Sequence, residues 1–309
     1  MADAPFPIHP TYTGIAMAYT NEAMIADEVL PKATPVAKKE FTYLEFPVEE
    51  ALSVPDTRIG RRSEANTIEL TAEEVTSKTE DFALSDLVPN DDVTNAPQGY
   101  DPLAHATETV TNLMVLGREV RVASLVQNPA SYAAGHKTQL AGTSQWSHGD
   151  ADPFQAIWDA LEIPLMRPNI GVLGRSVWNK IATHPKVIAK LYGAGSQRGK
   201  ARLADFAEEL ELQRILIGGA RVNIAKKGQA ANLQRAWGKH ASFLHIDKLA
   251  NNERGMTFGM TVPKGSRVTR VIPEPKIGIG GSQKVQVEEQ LKELITASNL
   301  GYFFEDAVA

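Results

Sequence analysis

The sequence predicts an α+β fold, with helices and strands segregated rather than alternating in βαβ units. Three observations carry this. One stretch, Asp101 to Gln127, has helical periodicity over 27 residues. The last hundred residues are rich in short extended runs. Between residues 47 and 92 lies a long polar stretch, poor in large apolar residues and rich in Thr, Glu and Asp.

The long helix is the element on which others are expected to lie. Leu103, Ala106, Val110, Leu113, Gly117 and Val120 recur at three- and four-residue steps and define one face. Arg118, Glu119 and Arg121 are expected on the wetter side. Asp101 is placed to cap the first turn, and Pro102 suits the first helical position, where an N–H would lack a partner anyway. Asn128-Pro129 ends it. At helical rise the rod is roughly 40 Å long.

The remaining elements follow in order. Residues 1–18 are small and Pro-rich, as in an extended arm. Asn21 to Leu30 reads as a short helix with Met24, Ile25, Val29 and Leu30 near one side, stopped by Pro31. Phe41 to Phe46 is an aromatic-rich strand. In 47–92, Ile68 and Leu70 alternate with polar neighbours, and Val75 to Leu84 is a second extended run. Arg58, Arg61 and Arg62 form a basic tip around Gly60. The reading is a two-stranded projection; a long polar hairpin is marginal in water and needs a surface to lie on. After a loop-like stretch from Pro129, Asp152-Pro153 repeats the cap-plus-proline start, with Phe154, Ile157, Trp158 and Leu161 at helical spacing. Asn169 to Gly174 is a buried strand. Ser176–Ile181, His184–Leu191 and Leu203–Leu210 are helices. The rest is strand-rich, except that Gln286 to Ser298 matches helical and alternating patterns alike.

Composition narrows the function. No window approaches the roughly 20 apolar residues that span a bilayer, so no membrane partner is expected. The start, MADAPFPIHP, has neither a basic n-region nor an apolar h-segment, and export is not expected. The absence of cysteine removes disulfides, thiol catalysis and cysteine-ligated metal sites, and fits synthesis in a reducing cytoplasm. The net charge of -5 is uneven: residues 1–100 hold 18 acids and 7 bases, residues 101–309 hold 19 acids and 25 bases. Such asymmetry lets copies attract one another head to flank.

No catalytic, cofactor or metal motif emerges. Gly193 to Lys200 is no phosphate loop, because Ala194 replaces its first glycine and Ala201 its magnesium-binding hydroxyl. His148, Asp150 and Asp152 lie in a turn that caps a helix. His240 and His245, five apart in an extended run, face opposite sides. Gly278 to Gly281 lacks the strand-then-helix setting of a dinucleotide site. Glu73/Glu74 and Asp91/Asp92 are exposed acidic pairs.

Together, several runs resemble the major capsid proteins of tailed phages. They are Asn21 to Pro31 followed by the aromatic strand, Val54 to Arg62, and Asn95-Ala-Pro-Gln-Gly-Tyr-Asp-Pro-Leu103 opening the long helix. Thr143-Ser-Gln-Trp146 with Asp152-Pro153, Trp237-Gly-Lys239 before a strand, and Gly301-Tyr-Phe-Phe-Glu-Asp-Ala307 complete the set. The order covers essentially the whole chain and is most similar to Mu-like transposable Pseudomonas phages.

The resemblance implies the Hong Kong 97-type capsid fold, with an N-terminal arm (1–45), an extended E-loop (46–92) and a P-domain (93–149) built on the spine helix 101–127. An A-domain (150–270) and C-terminal strands (271–309) returning to the P-domain would follow. It resolves the ambiguous Lys284–Thr296 segment in favour of strand. It implies hexamers and pentamers forming an icosahedral head around double-stranded DNA, in a virion assembled in the host cytoplasm. Partners would be further copies, a portal, scaffold or decoration proteins, and DNA without sequence readout. Arg58, Arg61 and Arg62 at the E-loop tip, and Met24, Ile25 and Val29 in the arm, are the expected inter-subunit residues. Some family members crosslink their subunits through Lys and Asn; no such set is identifiable here, and Lys78 is the projection's only lysine, so a non-covalent shell without cofactors or enzymatic activity is expected. The competing readings are an encapsulin-like compartment and a soluble α+β enzyme or binding protein.

Overall fold

The computed structural model describes residues 11–13, 24–45, 54, 57–62, 64, 67, 73–196, 199–226, 228–250 and 255–309. The expected strand around Ile68 and Leu70 lies outside them. Helices are α1 (Ala26–Val29), α2 (Asn90–Thr94), α3 (Pro102–Val126), α4 (Pro153–Leu161), α5 (Arg175–Ala182), α6 (Pro185–Tyr192) and α7 (Leu203–Glu209). Strands are β1 (Glu40–Glu45), β2 (Glu73–Lys78), β3 (Glu80–Pro89), β4 (Lys137–Gln139), β5 (Ile170–Gly174), β6 (Arg214–Gly218) and β7 (Arg221–Asn223). They continue with β8 (Leu233–Arg235), β9 (Ala241–Leu244), β10 (Gly259–Pro263), β11 (Val268–Glu274), β12 (Ser282–Ile295) and β13 (Gly301–Glu305).

The rod α3 forms where its periodicity puts it. Asp101 Oδ1 accepts from the N–H groups of Leu103 and Ala104, at 2.9 and 3.2 Å. Asn128 then caps a short 3-10 turn that begins at Pro129. The buried face differs from the expected one. Leu113 is exposed, whereas Met114, Arg118, Glu119, Val122 and Val126 are buried. The stripe is hard to see in the sequence because four of its ten buried residues are polar: Thr107, Thr111, Arg118 and Glu119 all point inward. Thr107 satisfies its hydroxyl on the Leu103 carbonyl, 2.8 Å away.

The N-terminal half of α3 lies on a sheet centred on β12, a single 14-residue strand. The ambiguous Gln286–Ser298 stretch is therefore extended through Ile295. β12 pairs antiparallel with β3 along one edge and with β10 and β11 along the other. Val285 and Val287 meet Ala106, Val110 and Met114 of the helix, as the two-residue period of a strand laid against a helical face requires. β1 and β2 pair antiparallel as the base of the projection, with Glu40 opposite Lys78 and Glu45 opposite Glu73. Phe41 and Tyr43 pack on Met260, Val262 and Leu294, which seats that base on the β10 end of the sheet.

The second sheet has the order β4-β13-β9-β5-β6. Both its faces are covered, so its strands read as near-continuous apolar runs. On one face Leu173, Phe243, Tyr302 and Phe304 meet α4 to α7 through Phe154, Ile157, Ile181 and Phe206. On the other, Ile170, Val172 and Phe303 meet α1 and the C-terminal half of α3. Most pairs near its centre are antiparallel. β5 and β6 are parallel, joined by a crossover through α5, α6 and α7.

The sheets divide the chain differently from the expected limits. β10 lies within 150–270 yet pairs with β12, and β13 lies within 271–309 yet sits inside the other sheet. Two glycines are dictated by close approach at that sheet's rim. A Cβ on Gly174 would lie 2.0 Å from the Gly238 carbonyl oxygen, and one on Gly218 would lie 2.1 Å from the Trp237 ring.

His240 joins this sheet to the C-terminal turn, where its Nδ1 accepts from the Asp306 N–H at 3.0 Å. Burial lowers its pKa from the ordinary 6.5, partly offset by Asp306 and Glu305. The folded chain thus keeps the ring neutral while an unfolded chain protonates it, so this contribution is whole above pH ~6.5 and is lost as pH falls below it. Between pH 7.5 and 5.0, the urea midpoint of the unassembled chain should fall more steeply than that of His240→Asn, which keeps an acceptor but does not titrate. Equal slopes would remove His240 from the account.

Candidate functional site

Two features of this fold bear on function: the anchor that holds the N-terminal segment, and the projection. The anchor is built from adjacent residues of α3. Glu119 is fully buried, yet both its oxygens are engaged. Its Oε1 accepts from the Ile25 N–H at 3.0 Å and from Trp237 Nε1 at 2.5 Å, and its Oε2 accepts from the Ala26 N–H at 2.8 Å. A carboxylate on the first N–H groups of α1 satisfies donors that a helix of four residues cannot pair internally. Trp237, also fully buried, ties the same carboxylate to the segment between β8 and β9.

Arg118 points the other way around the helix and is 1% exposed. Its guanidinium donates to Asp27, to the Leu30 carbonyl at 3.2 Å and to Thr261 Oγ1 at 3.0 Å. Burial lowers its pKa from the ordinary guanidinium range to about 10, with Glu289 and Glu293 opposing the fall and Arg267 and Arg121 adding to it. It remains a cation at neutral pH. Arg121 pairs with Glu293 Oε1 through Nε and Nη2 at 3.1 and 2.9 Å, and lies 3.7 Å over the Phe82 ring. Arg267 holds Glu289 at 2.9 Å, both nearly buried. Helix and sheet are thus joined by an alternating set of buried charges, each with an opposite partner.

Beyond α1, the segment continues as an added edge. The Thr261 N–H donates to the Pro31 carbonyl, the Ala33 N–H to the Thr261 carbonyl, and the Val36 N–H to the Pro263 carbonyl, at 2.8–2.9 Å. Arg214 of β6 pairs with Glu28. Residues 11–13 lie beside β11, with the Thr269 N–H donating to Thr13 Oγ1 at 2.9 Å and the Tyr12 hydroxyl to Asp101 at 3.1 Å.

This corrects two expectations. Ile25 (5% exposed) and Val29 (0%) do not face outward; they are buried in their own chain's core against Val122, Ala123 and Val126. Met24 is half-buried. Nor are Arg118 and Glu119 on a wet face. A neighbouring cation and anion on a helix can both be buried when backbone groups and opposite charges meet them, and apolar periodicity carries no sign of that. The Trp237-Gly238-Lys239 run is a visible signal for one partner, but not for which acid it serves.

The projection behaves differently. Arg58, Arg61 and Arg62 are exposed, as are Ile59 (57%) and Val54 (93%). Gly60 lies between them, and residues 61–62 form a turn. Apolar and cationic side chains are thus exposed together in this part of the projection.

The other motifs resolve as local structure. The Asp150 N–H donates to His148 Nδ1 at 3.3 Å, and Asp152 Oδ1 caps α4 through the Gln155 N–H at 3.1 Å. His245 Nδ1 meets the Arg167 carbonyl at 3.0 Å, while His240 serves Asp306 as above. Gly193, at φ 88°, ends α6. Among the described residues no three His, Asp or Glu side chains are grouped to hold a metal ion, and no helix is long and apolar enough to cross a membrane.

Replacing Glu119 by Gln sets an amide NH2 against an N–H donor in a dry site. We expect a loss of about 2–3 kcal/mol in chemical denaturation of the unassembled chain. Glu108→Gln, on the exposed face of the same helix, should change little. Equal effects would mean that the anchor is not what holds the segment.

No protein-family model matches the chain. It is 50% identical over 309 residues, the whole length of both, to the major capsid protein of Pseudomonas phage JBD67. It is 29% identical over 225 residues, 69% of each chain, to the major capsid protein of Burkholderia phage BcepMu. Its fold is that of a phage-related protein from Bordetella bronchiseptica RB50, with a TM-score of 0.78, 24% identity and 98% and 99% of the chains covered. The capsid structure of the cyanophage P-SCSP1u matches at a TM-score of 0.61, with 11% identity and 93% and 89% covered. The full-length identity, together with the long helix laid on the β12 sheet, means that the chain belongs to the phage major capsid protein family.

Proposed function

We propose that this protein builds the icosahedral head of a tailed phage by self-assembly into hexamers and pentamers, enclosing double-stranded DNA. The observation that carries the reading is the projection: the β1–β2 ribbon is seated on its own chain's sheet, and the apolar and cationic residues 54 and 57–62 between its strands in sequence are exposed. A surface of this kind on every copy makes a heterologous contact, one face against a different face. Such contacts close into rings or extend into lattices.

In this reading α3 is the spine helix and the β12 sheet the P-domain, the five-stranded sheet with α4 to α7 is the A-domain, and the projection is the E-loop. Residue limits follow the sheets: β10 goes with the P-domain and β13 with the A-domain. The E-loop lies across an adjacent subunit, where Arg58, Arg61 and Arg62 meet acidic groups while Ile59 and Val54 are covered. Met24 is the remaining arm residue able to reach a neighbour. The role is structural rather than catalytic. A portal, scaffold or decoration proteins and non-specific contact with DNA complete the partner set, and assembly takes place in the host cytoplasm.

Single exposed ion pairs are worth ~0–1 kcal/mol, so no one arginine should matter. Reversing all three together (Arg58→Glu, Arg61→Glu, Arg62→Glu) should abolish shells in negative-stain images while leaving the circular dichroism of the chain intact. Normal shell yield from that variant would reject the tip as an inter-subunit surface.

The shell is expected to be non-covalent. Boiled and denatured particles should therefore run as one band near 33.6 kDa. A ladder of multimers would overturn this.

A further inference from the structure

The small ribbon β7–β8 is a two-stranded sheet of its own, outside both main sheets. Its register sets Arg221 directly opposite Arg235, and Asn223 opposite Leu233. Directly opposed residues of an antiparallel pair share one face, with Cβ atoms about 5 Å apart, and like charges in that relation destabilise the pair. Three-residue strands have little to set against such repulsion. Neither arginine makes an ion pair among the described residues.

The surroundings sharpen the point. From residue 212 to 246 there are six Lys or Arg and no Asp or Glu. Arg221, Lys226 and Lys239 are exposed and Arg235 is half-buried. The loop of the ribbon is nevertheless ordered by its own polar groups. Asn223 Oδ1 accepts from the Ala225 and Asn232 N–H groups, at 3.1 and 2.9 Å, and the Ala236 N–H donates to the Ala220 carbonyl at 3.0 Å. Two guanidinium groups are thus held on one face of a fixed turn.

We propose that Arg221 and Arg235 form a clamp for a phosphate group, supplied by the backbone of duplex DNA, with Lys226 and Lys239 extending the cationic track. The proposal rests on the capsid reading for the presence of DNA, but the clamp itself is a property of the single chain. A guanidinium pair matches the oxygens of a phosphodiester, each fork donating two parallel N–H groups. An anion between the arginines turns their repulsion into mutual attraction to it. Guanidinium and ammonium groups aimed at phosphate position a duplex without reading its bases, so the clamp takes backbone irrespective of sequence. An acidic surface of another copy is the competing occupant. The absence of any acid over this stretch fits a uniform polyanion better than a protein face, which presents both signs.

The test uses the full-length, unassembled chain. Phenylglyoxal modification of Arg221 and Arg235, mapped by mass spectrometry, should slow when a 30-base-pair duplex is added at low salt, and not when chloride is added to the same ionic strength. The double variant Arg221→Gln, Arg235→Gln should bind the duplex more weakly. Its plot of log K against log salt should be shallower by about 0.9, for the one phosphate no longer neutralised. The variant should unfold at no lower urea concentration than the parent, because the repulsion is gone; a structural role for the pair would instead lower it. The single Lys180→Gln, on a helix away from the ribbon, should leave binding unchanged. The proposal fails if the duplex neither protects the arginines nor loses affinity for the double variant. It also fails if protection arises only on assembly of DNA-free shells, which would assign the pair to a neighbouring copy. If the chain forms no shells yet the clamp binds the duplex, the capsid reading fails and the clamp stands.

Discussion

The fold depends on the burial of two opposite charges side by side on one helix. Arg118 and Glu119 sit where α3 passes from the β12 sheet to the five-stranded sheet, and each faces one of them. Glu119 collects N–H groups from α1 and the indole of Trp237. Arg118 collects the end of the same segment and Thr261 of β10. Ions this dry contribute little net stability, because desolvating them offsets most of the attraction to their partners. Their effect is selective. Any arrangement that leaves one of the two without partners strands a charge in the core, so the segment, the helix and both sheets can meet in only one way.

That constraint sorts the surface of the chain into used and unused parts. Residues 25–36 are consumed internally, as an extra edge on β10 and as the cover of one face of the five-stranded sheet. The buried apolar residues of this short helix, which the capsid resemblance offers to a neighbour, are spent inside the subunit. The projection is not. Its base is fixed by Phe41 and Tyr43 on the β10–β12 edge, and its tip keeps apolar and cationic side chains in solvent. In the proposed assembly, a seated base under an exposed tip lets the subunit set the position of the contact, and the free energy of covering the tip is released only on assembly.

Much of the fold is legible in the residues because local chemistry and tertiary structure agree. Asp101-Pro102 and Asp152-Pro153 start helices by the same capping chemistry that sequence alone suggests. Most of the strands after residue 212 are visible as short apolar runs, since their sheets bury them on one face or both. Three features are not legible, each for a physical reason. The buried face of α3 carries Thr107, Thr111, Arg118 and Glu119, so the periodicity of apolar residues picks a neighbouring stripe and wrongly counts Leu113 as buried. β4, three residues long, joins its sheet by parallel pairing with β13, a partner far along the chain. The parallel β5–β6 pair hides behind three helices whose individual patterns are plain but whose crossover is not.

The same contrast separates the two charged features. At the anchor, opposite charges are interleaved and largely buried: Arg118 and the half-buried Arg121 against Glu293, and Arg267 against Glu289. Each ion there has its answer within the chain, and the result is a fixed geometry. At β7–β8, like charges face each other on a short separate ribbon, and no acid lies between residues 212 and 246. Neutralisation there must come from outside. A chain of net charge -5 that pairs its core ions and displays opposed cations on one small ribbon keeps the two charged features apart. On the proposed clamp reading, a polyanion can then be taken up and released without disturbing the core.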